Sequence, residues 1–233
     1  MRQIPLAIGP QPARGFDAIV AGRNGAALAH LQQLVSAGLP FEGPSPPLPV
    51  YLWGPAGCGK TRLLQATADA VGQRGLHVGW FDAEAALPWS APARGSLVVL
   101  DACERYDRDR QQAAFALFIE SQALALPVLA AGRCPPVDLP LRDDLRTRLG
   151  WGHVFALQAL DEGEARAALR GEAARRGFDL GDEVLDFLLT RFSRDFAHVL
   201  GLLDKLDEFA LSRQRAITVP LLRRLFEDEG QTL

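Results

Sequence analysis

Five short apolar runs are spaced through the first two thirds of the chain, at 49–54 (PVYLWG), 77–82 (HVGWFD), 96–101 (SLVVLD), 127–131 (PVLAA) and 153–157 (HVFAL). Apolar residues follow one another in these runs and do not alternate with polar ones, so they predict strands buried on both faces. Stretches with a helical period lie between most of them, and such crossovers imply a parallel sheet covered by helices. From Asp161 onward only helical patterns remain, at 161–176, 182–191, 195–211 and 220–226. The first of these opens with Asp161 and an acid three positions on, Glu164, and stops at Gly177, a start and a stop signal respectively. Asn24 to Val35 predicts a further helix with Asn24 as its N-cap. Residues 1–15, with Pro5, Pro10 and Pro12, predict an extended arm, and 38–49 a proline-rich connector. The expected organisation is therefore an arm over 1–15, an α/β domain over 16–158 and a small all-helical domain over 159–233.

The first run leads into Gly54-Pro55-Ala56-Gly57-Cys58-Gly59-Lys60-Thr61, followed by Arg62 and a helical pattern. This is a complete Walker A spacing after a strand and before a helix. Its glycines allow consecutive N–H groups to surround phosphate oxygens, its lysine places a compact positive charge at the β/γ position, and its threonine hydroxyl ligates Mg²⁺. Lys60 is one of two lysines in a chain with 23 arginines, and a guanidinium would be too long and planar for that position. The run Leu97-Val98-Val99-Leu100-Asp101 ends in a carboxylate, as expected of a strand whose edge holds the water shell of Mg²⁺ beside the phosphate loop. The next residue is Ala102, and hydrolysis calls for a second acid beside the metal carboxylate. Glu104 could serve only if the backbone curled back, and the plainer expectation for it is a solvated loop acid beside Arg105.

Charge and composition narrow the classes. The net charge is −3 with acids and bases intermixed, which gives no broad electrostatic footprint for nucleic acid. The three cysteines, Cys58, Cys103 and Cys134, lack zinc spacing, and a disulfide at Cys58 would disrupt the loop, so a reducing cytosol is expected. No apolar run has transmembrane length and the first residues lack a signal-peptide pattern. A cytoplasmic, soluble protein with no membrane partner is the expectation.

Beyond the generic Walker motifs, the order and spacing of several segments resemble the AAA+ ATPases related to the bacterial replication initiator DnaA. These are Phe16 to Asn24 (FDAIVAGRN), Gly132 to Pro136 (GRCPP), Asp144 to Gly152 (DLRTRLGWG) and Arg176 to Leu180 (RGFDL). The resemblance implies a P-loop AAA+ domain with a five-stranded parallel sheet of order 5-1-4-3-2 and a helical lid. It implies that ADP or ATP binds with Mg²⁺ on Gly54 to Arg62, that Phe16, Ile19 and Val20 wrap the base, and that Thr61 and, through water, Asp101 hold the metal. By position Arg148 corresponds to an arginine finger that acts on a neighbouring subunit's nucleotide. Because the chain stops after the lid, with no helix-turn-helix, it resembles a regulator more than the initiator.

Gln3-Ile4-Pro5-Leu6-Ala7-Ile8 fits the Q-x-x-L-x-hydrophobic pattern of peptides that dock on the bacterial sliding clamp, with Gln3 at the pocket rim and Leu6 and Ile8 in apolar pockets. The partners the resemblance implies are DnaA and the DNA polymerase III β clamp, with nucleic acid reached mainly through the clamp, and a homo-oligomer is possible by the same head-to-tail logic. Three positions depart from the pattern: Ala102 follows Asp101, Arg133-Cys134 stands where the family carries an acidic-basic pair, and Ala197 aligns with the lid arginine, with Arg194 one turn earlier. The expectation is weak or no autonomous ATPase and stimulation of DnaA's hydrolysis, which prevents re-initiation. The alternatives are a self-contained AAA+ remodelling or loader ATPase and, with no second phosphate-acceptor site in view, a nucleotide kinase.

Overall fold

The structure, a computed structural model, describes residues 15–37, 46–93, 96–191, 199, 202–203 and 218–222. Residues 19–160 form one compact unit, while 15–18 and the described residues from 161 onward belong to a second. In the first unit the five apolar runs are strands: β1 (Val50–Trp53), β2 (Val78–Phe81), β3 (Leu97–Leu100), β4 (Val128–Gly132) and β5 (His153–Ala156). All pair in parallel in the order β2-β3-β4-β1-β5, which is the expected 5-1-4-3-2 order. β3 and β4 are buried throughout, whereas β2 is half-buried and β5 mostly exposed. The most continuous apolar runs thus occupy the interior of the sheet, where both faces are covered.

Helices α1 (Gly25–Ser36), α2 (Lys60–Gly72), α3 (Arg108–Ala123) and α4 (Asp143–Leu149) fill the crossovers and flanks. On one face Tyr51, Val98, Leu100, Val128 and Ala130 pack with Leu117 and Phe118 of α3 and Leu145 and Leu149 of α4. α1 buries Ala27, Leu31 and Val35, a stripe at intervals of four residues. Its start differs from the expectation. Asn24 makes no capping bond; its side-chain amide donates to the Gln158 carbonyl at 2.9 Å and its side-chain oxygen accepts from the Gln158 N–H at 2.8 Å. A short 3₁₀ turn, Gly22–Asn24, leads into the helix instead. A buried amide with a donated and an accepted bond, which joins the segment before α1 to the chain after β5, outweighs a local cap.

In the second unit α5 (Glu162–Arg175) begins with the expected capping box, in which Asp161 accepts from the Glu164 N–H and Glu164 from the Asp161 N–H. It ends in a Schellman closure with Gly177 at φ 82°, the Phe178 N–H bonding the Ala173 carbonyl and the Gly177 N–H that of Ala174. α6 (Asp182–Arg191) follows, and Leu169, Ala173, Val184, Leu185 and Leu188 share a core with Val199, Leu202, Leu203 and Leu222. Glu172 sits on the buried stripe of α5 at 3% exposure and pairs with Arg175 at 2.5 Å and Arg176 at 3.0 Å. Removing one member of a buried pair leaves the other charge desolvated, so Glu172→Ala is expected to cost about 3 kcal/mol. Chemical denaturation against the wild type measures it.

Candidate nucleotide-binding site

Parallel order places the C-terminal ends of β3, β4 and β1 side by side, and the residues that follow those strands are Asp101, Arg133 and Gly54. Gly54 admits no larger residue, because a Cβ there would collide with the Leu157 carbonyl oxygen. Gly59 caps α2 in a left-handed conformation, φ 96°, that turns the loop into the helix N-terminus. The Lys60 ammonium folds back over the loop and donates to the carbonyls of Gly54 and Pro55, both at 2.8 Å, with the Cys58 sulfur at 3.7 Å. The loop therefore fixes one compact cation beside the N-terminal turn of α2. Pro55 and Ala56 are exposed, Gly57, Gly59, Lys60 and Arg62 half-buried, and Cys58 buried with a free thiol.

The Thr61 hydroxyl donates to Oδ2 of Asp101 at 2.8 Å, a bond across 40 residues that joins the loop to the end of β3. The Ala102 N–H donates to Oδ1 at 2.8 Å. Asp101 is 8% exposed, and burial is the main cause that raises its pKa above the ordinary carboxylate value; the two hydrogen bonds oppose the rise, and the charges of Asp82 and Glu104 add to it. Thr61 spends its proton on Asp101 and keeps its lone pairs. A hydroxyl and a buried carboxylate in contact form a hard, all-oxygen donor set that fits Mg²⁺, and the loop amides with Lys60 fit a phosphate chain. When bound, such an ion neutralises developing charge on phosphate oxygens.

Ala102 itself has φ 50° and ψ 48°, a left-handed conformation seldom adopted by a residue with a Cβ. The chain there curls back through the 3₁₀ turn Cys103–Arg105, which corrects the expectation for Glu104. Arg105 pairs with Glu84 at 2.5 Å, while Glu104 accepts from the Arg133 N–H at 3.2 Å and lies 3.8 Å from the Arg133 guanidinium. The next residue is held as well, since the Tyr51 hydroxyl donates to the Cys134 carbonyl at 2.9 Å. Sequence reasoning missed this double anchor of the segment after β4, because no local signal announces a left-handed alanine.

The residues expected to wrap the base divide between the two units. Phe16 begins a 3₁₀ turn, Phe16–Ala18, of the second unit and is half-buried; Ile19, half-buried, and Val20, exposed, belong to the sheet unit. Arg148 is on α4, and its guanidinium lies over the rings of Trp151, Phe115 and Phe118. Gln3, Leu6, Ile8, Arg194 and Ala197 lie outside the described residues.

Residues 161–226 match the protein-family model described as Hda, lid domain. Over the whole chain the fold is similar to domain III of the Thermotoga maritima replication initiation protein DnaA, with TM-score 0.73, 20% identity, and 97% of this chain and 98% of that one covered. The lid segment is thus Hda-like, and the fold is that of DnaA domain III. AMPPCP-bound DnaA from Aquifex aeolicus shares the fold at TM-score 0.63 and 20% identity, over 88% of this chain and 69% of that one. The Thermotoga maritima RuvB Holliday junction branch migration motor does so at TM-score 0.57 and 16% identity, over 85% and 68%. No helix among the described residues is long and apolar enough to cross a membrane.

The raised pKa of Asp101 means that its ionised form costs the nucleotide-free protein stability. The folded state binds the proton more tightly than the unfolded one, so this cost grows as pH rises through and just above the carboxylate range. Asp101→Asn, which removes the charge, keeps the bond from the Ala102 N–H and reverses the other so that the amide donates to the Thr61 hydroxyl, is expected to raise the thermal midpoint without nucleotide and to abolish the Mg²⁺-dependent part of nucleotide affinity. Thermal unfolding and calorimetric titration with and without Mg²⁺ measure the two effects.

Proposed function

We propose that this AAA+ protein is a regulator of replication initiation that holds ADP, or ATP, with Mg²⁺ on Gly54 to Arg62, Thr61 and Asp101, and stimulates ATP hydrolysis by DnaA. In this reading the chemistry takes place on the partner's nucleotide, and Arg148 is lent in trans. Docking on the DNA-loaded β clamp through Gln3, Leu6 and Ile8 brings the protein to DNA, and conversion of DnaA to its ADP form prevents re-initiation.

The observation that carries the reading is how the arginines of α4 and its N-cap are used. Arg142 pairs with Asp144 at 2.7 Å and donates to Gln112, and Arg146 pairs with Asp143 and donates to the Val137 carbonyl at 3.2 Å. Arg148 makes no ion pair or side-chain hydrogen bond among the described residues, so its five N–H donors remain uncommitted. A guanidinium with unspent donors is what a neighbouring polyphosphate requires. The Hda-type lid supports the regulatory branch, and the AMPPCP held by a DnaA relative supports an adenine nucleotide.

A second reading, a self-contained ATPase, is favoured by the turned-back Glu104, which restores an acid near Asp101 three residues late in sequence. The two readings separate in one assay. With clamp-loaded DNA and ATP-bound DnaA, Arg148→Ala is expected to lower DnaA's hydrolysis on the order of 10³-fold, and Gln3→Ala to abolish the dependence on the clamp. An undiminished rate with Arg148→Ala, alongside turnover by the isolated protein that Glu104→Gln removes, would favour the self-contained enzyme.

A further inference from the structure

Trp151 is 55% exposed, an unusual setting for the largest apolar side chain. Its position follows from the end of α4. Gly150 closes the helix by bonding the carbonyls of Arg146 and Thr147, and the Trp151 N–H then bonds the Arg148 carbonyl at 3.2 Å. This turn folds the indole back so that its ring lies 4.8 Å from the Arg148 guanidinium carbon. From α3, the half-buried Phe115 approaches the same carbon at 5.1 Å and the fully buried Phe118 at 5.9 Å. Phe115 is shared with Arg142, whose guanidinium carbon lies 5.3 Å from its centroid, but Arg142 is already tied to Asp144.

Aromatic rings attract a guanidinium through their π faces and take none of its N–H donors. An acid in the same place would restrain Arg148 equally well and would spend those donors on itself. We infer that Trp151, with Phe115, is a positioning residue for Arg148: an aromatic seat holds the guanidinium at the surface of α4 with its donors free for an anionic polyphosphate on an adjacent ATP-bound subunit. The inference rests on the trans role of Arg148 proposed above and deepens it. The seat lowers the side-chain entropy lost when the cation engages, so its benefit falls on the chemical step and not on docking.

The test uses the full chain with clamp-loaded DNA and ATP-bound DnaA. Trp151→Leu is expected to lower the maximal hydrolysis rate about 10-fold while the concentration for half-maximal stimulation stays within about 2-fold, and Trp151→Phe to restore the rate to within about 2-fold of wild type. Independently, Arg148→Ala is expected to change tryptophan emission in the wild-type background and not in Trp151→Phe. A loss confined to the half-maximal concentration would make Trp151 a docking contact and overturn the inference, as would emission that is indifferent to Arg148. A rate undiminished by Arg148→Ala would remove the trans role itself; a rate reduced by Arg148→Ala but not by Trp151→Leu would overturn only the seat.

Discussion

A hydrogen bond between Thr61 and Asp101 holds the chemistry of this protein together. It spans 40 residues and joins the first turn of α2, the helix that follows β1, to the end of β3, a strand that does not neighbour β1 in the sheet. β4 lies between β3 and β1, so the bond closes only if the parallel register is correct on both sides. Burial penalises the Asp101 charge, and the protein tolerates this with two hydrogen bonds that do not fully offset it. In the proposed function this carboxylate would meet a divalent cation and the loop cation Lys60 a phosphate.

The same strand ends account for the second acid. An alanine after Asp101 reads as the loss of a hydrolytic group, yet its left-handed backbone returns Glu104 to the segment after β4. Glu104 and Tyr51 then pin Arg133 and Cys134, so the three strand ends beside the loop are cross-tied by side chains of their neighbours. Backbone strain at Ala102 is sustained by these contacts, in keeping with its place beside the candidate site.

Arginine is the common cation of this chain, and several of the described arginines are matched with acids on the surface, where such pairs contribute little to stability. Against that background a guanidinium held only by rings is informative. Dispersion and quadrupole attraction fix its position without consuming its donors, and this separates Arg148 from Arg146 of the same helix and from Arg142 at its N-cap.

Much of this was legible in the chain itself. The five apolar runs became the five strands with shifts of about a residue at their ends, the ordinary spread of such boundaries. The phosphate-loop spacing and the Asp161–Glu164 box also read directly, because each is a local property in which neighbouring residues satisfy one another's backbone. Other features were not legible. Asn24 reads as a cap and instead binds Gln158, 134 residues away; Glu104 reads as a solvated acid and instead binds Arg133, 29 residues away. Nor does any periodicity reveal that Trp151 folds over Arg148 while Phe115 meets it from another helix. Periodicity and spacing encode which residues share a strand or helix, so the architecture and the loop follow from the amino acids in order. Which partner a buried amide, a turned-back acid or a free guanidinium finds depends on distances set only when the sheet and helices have packed, and that choice belongs to the folded protein.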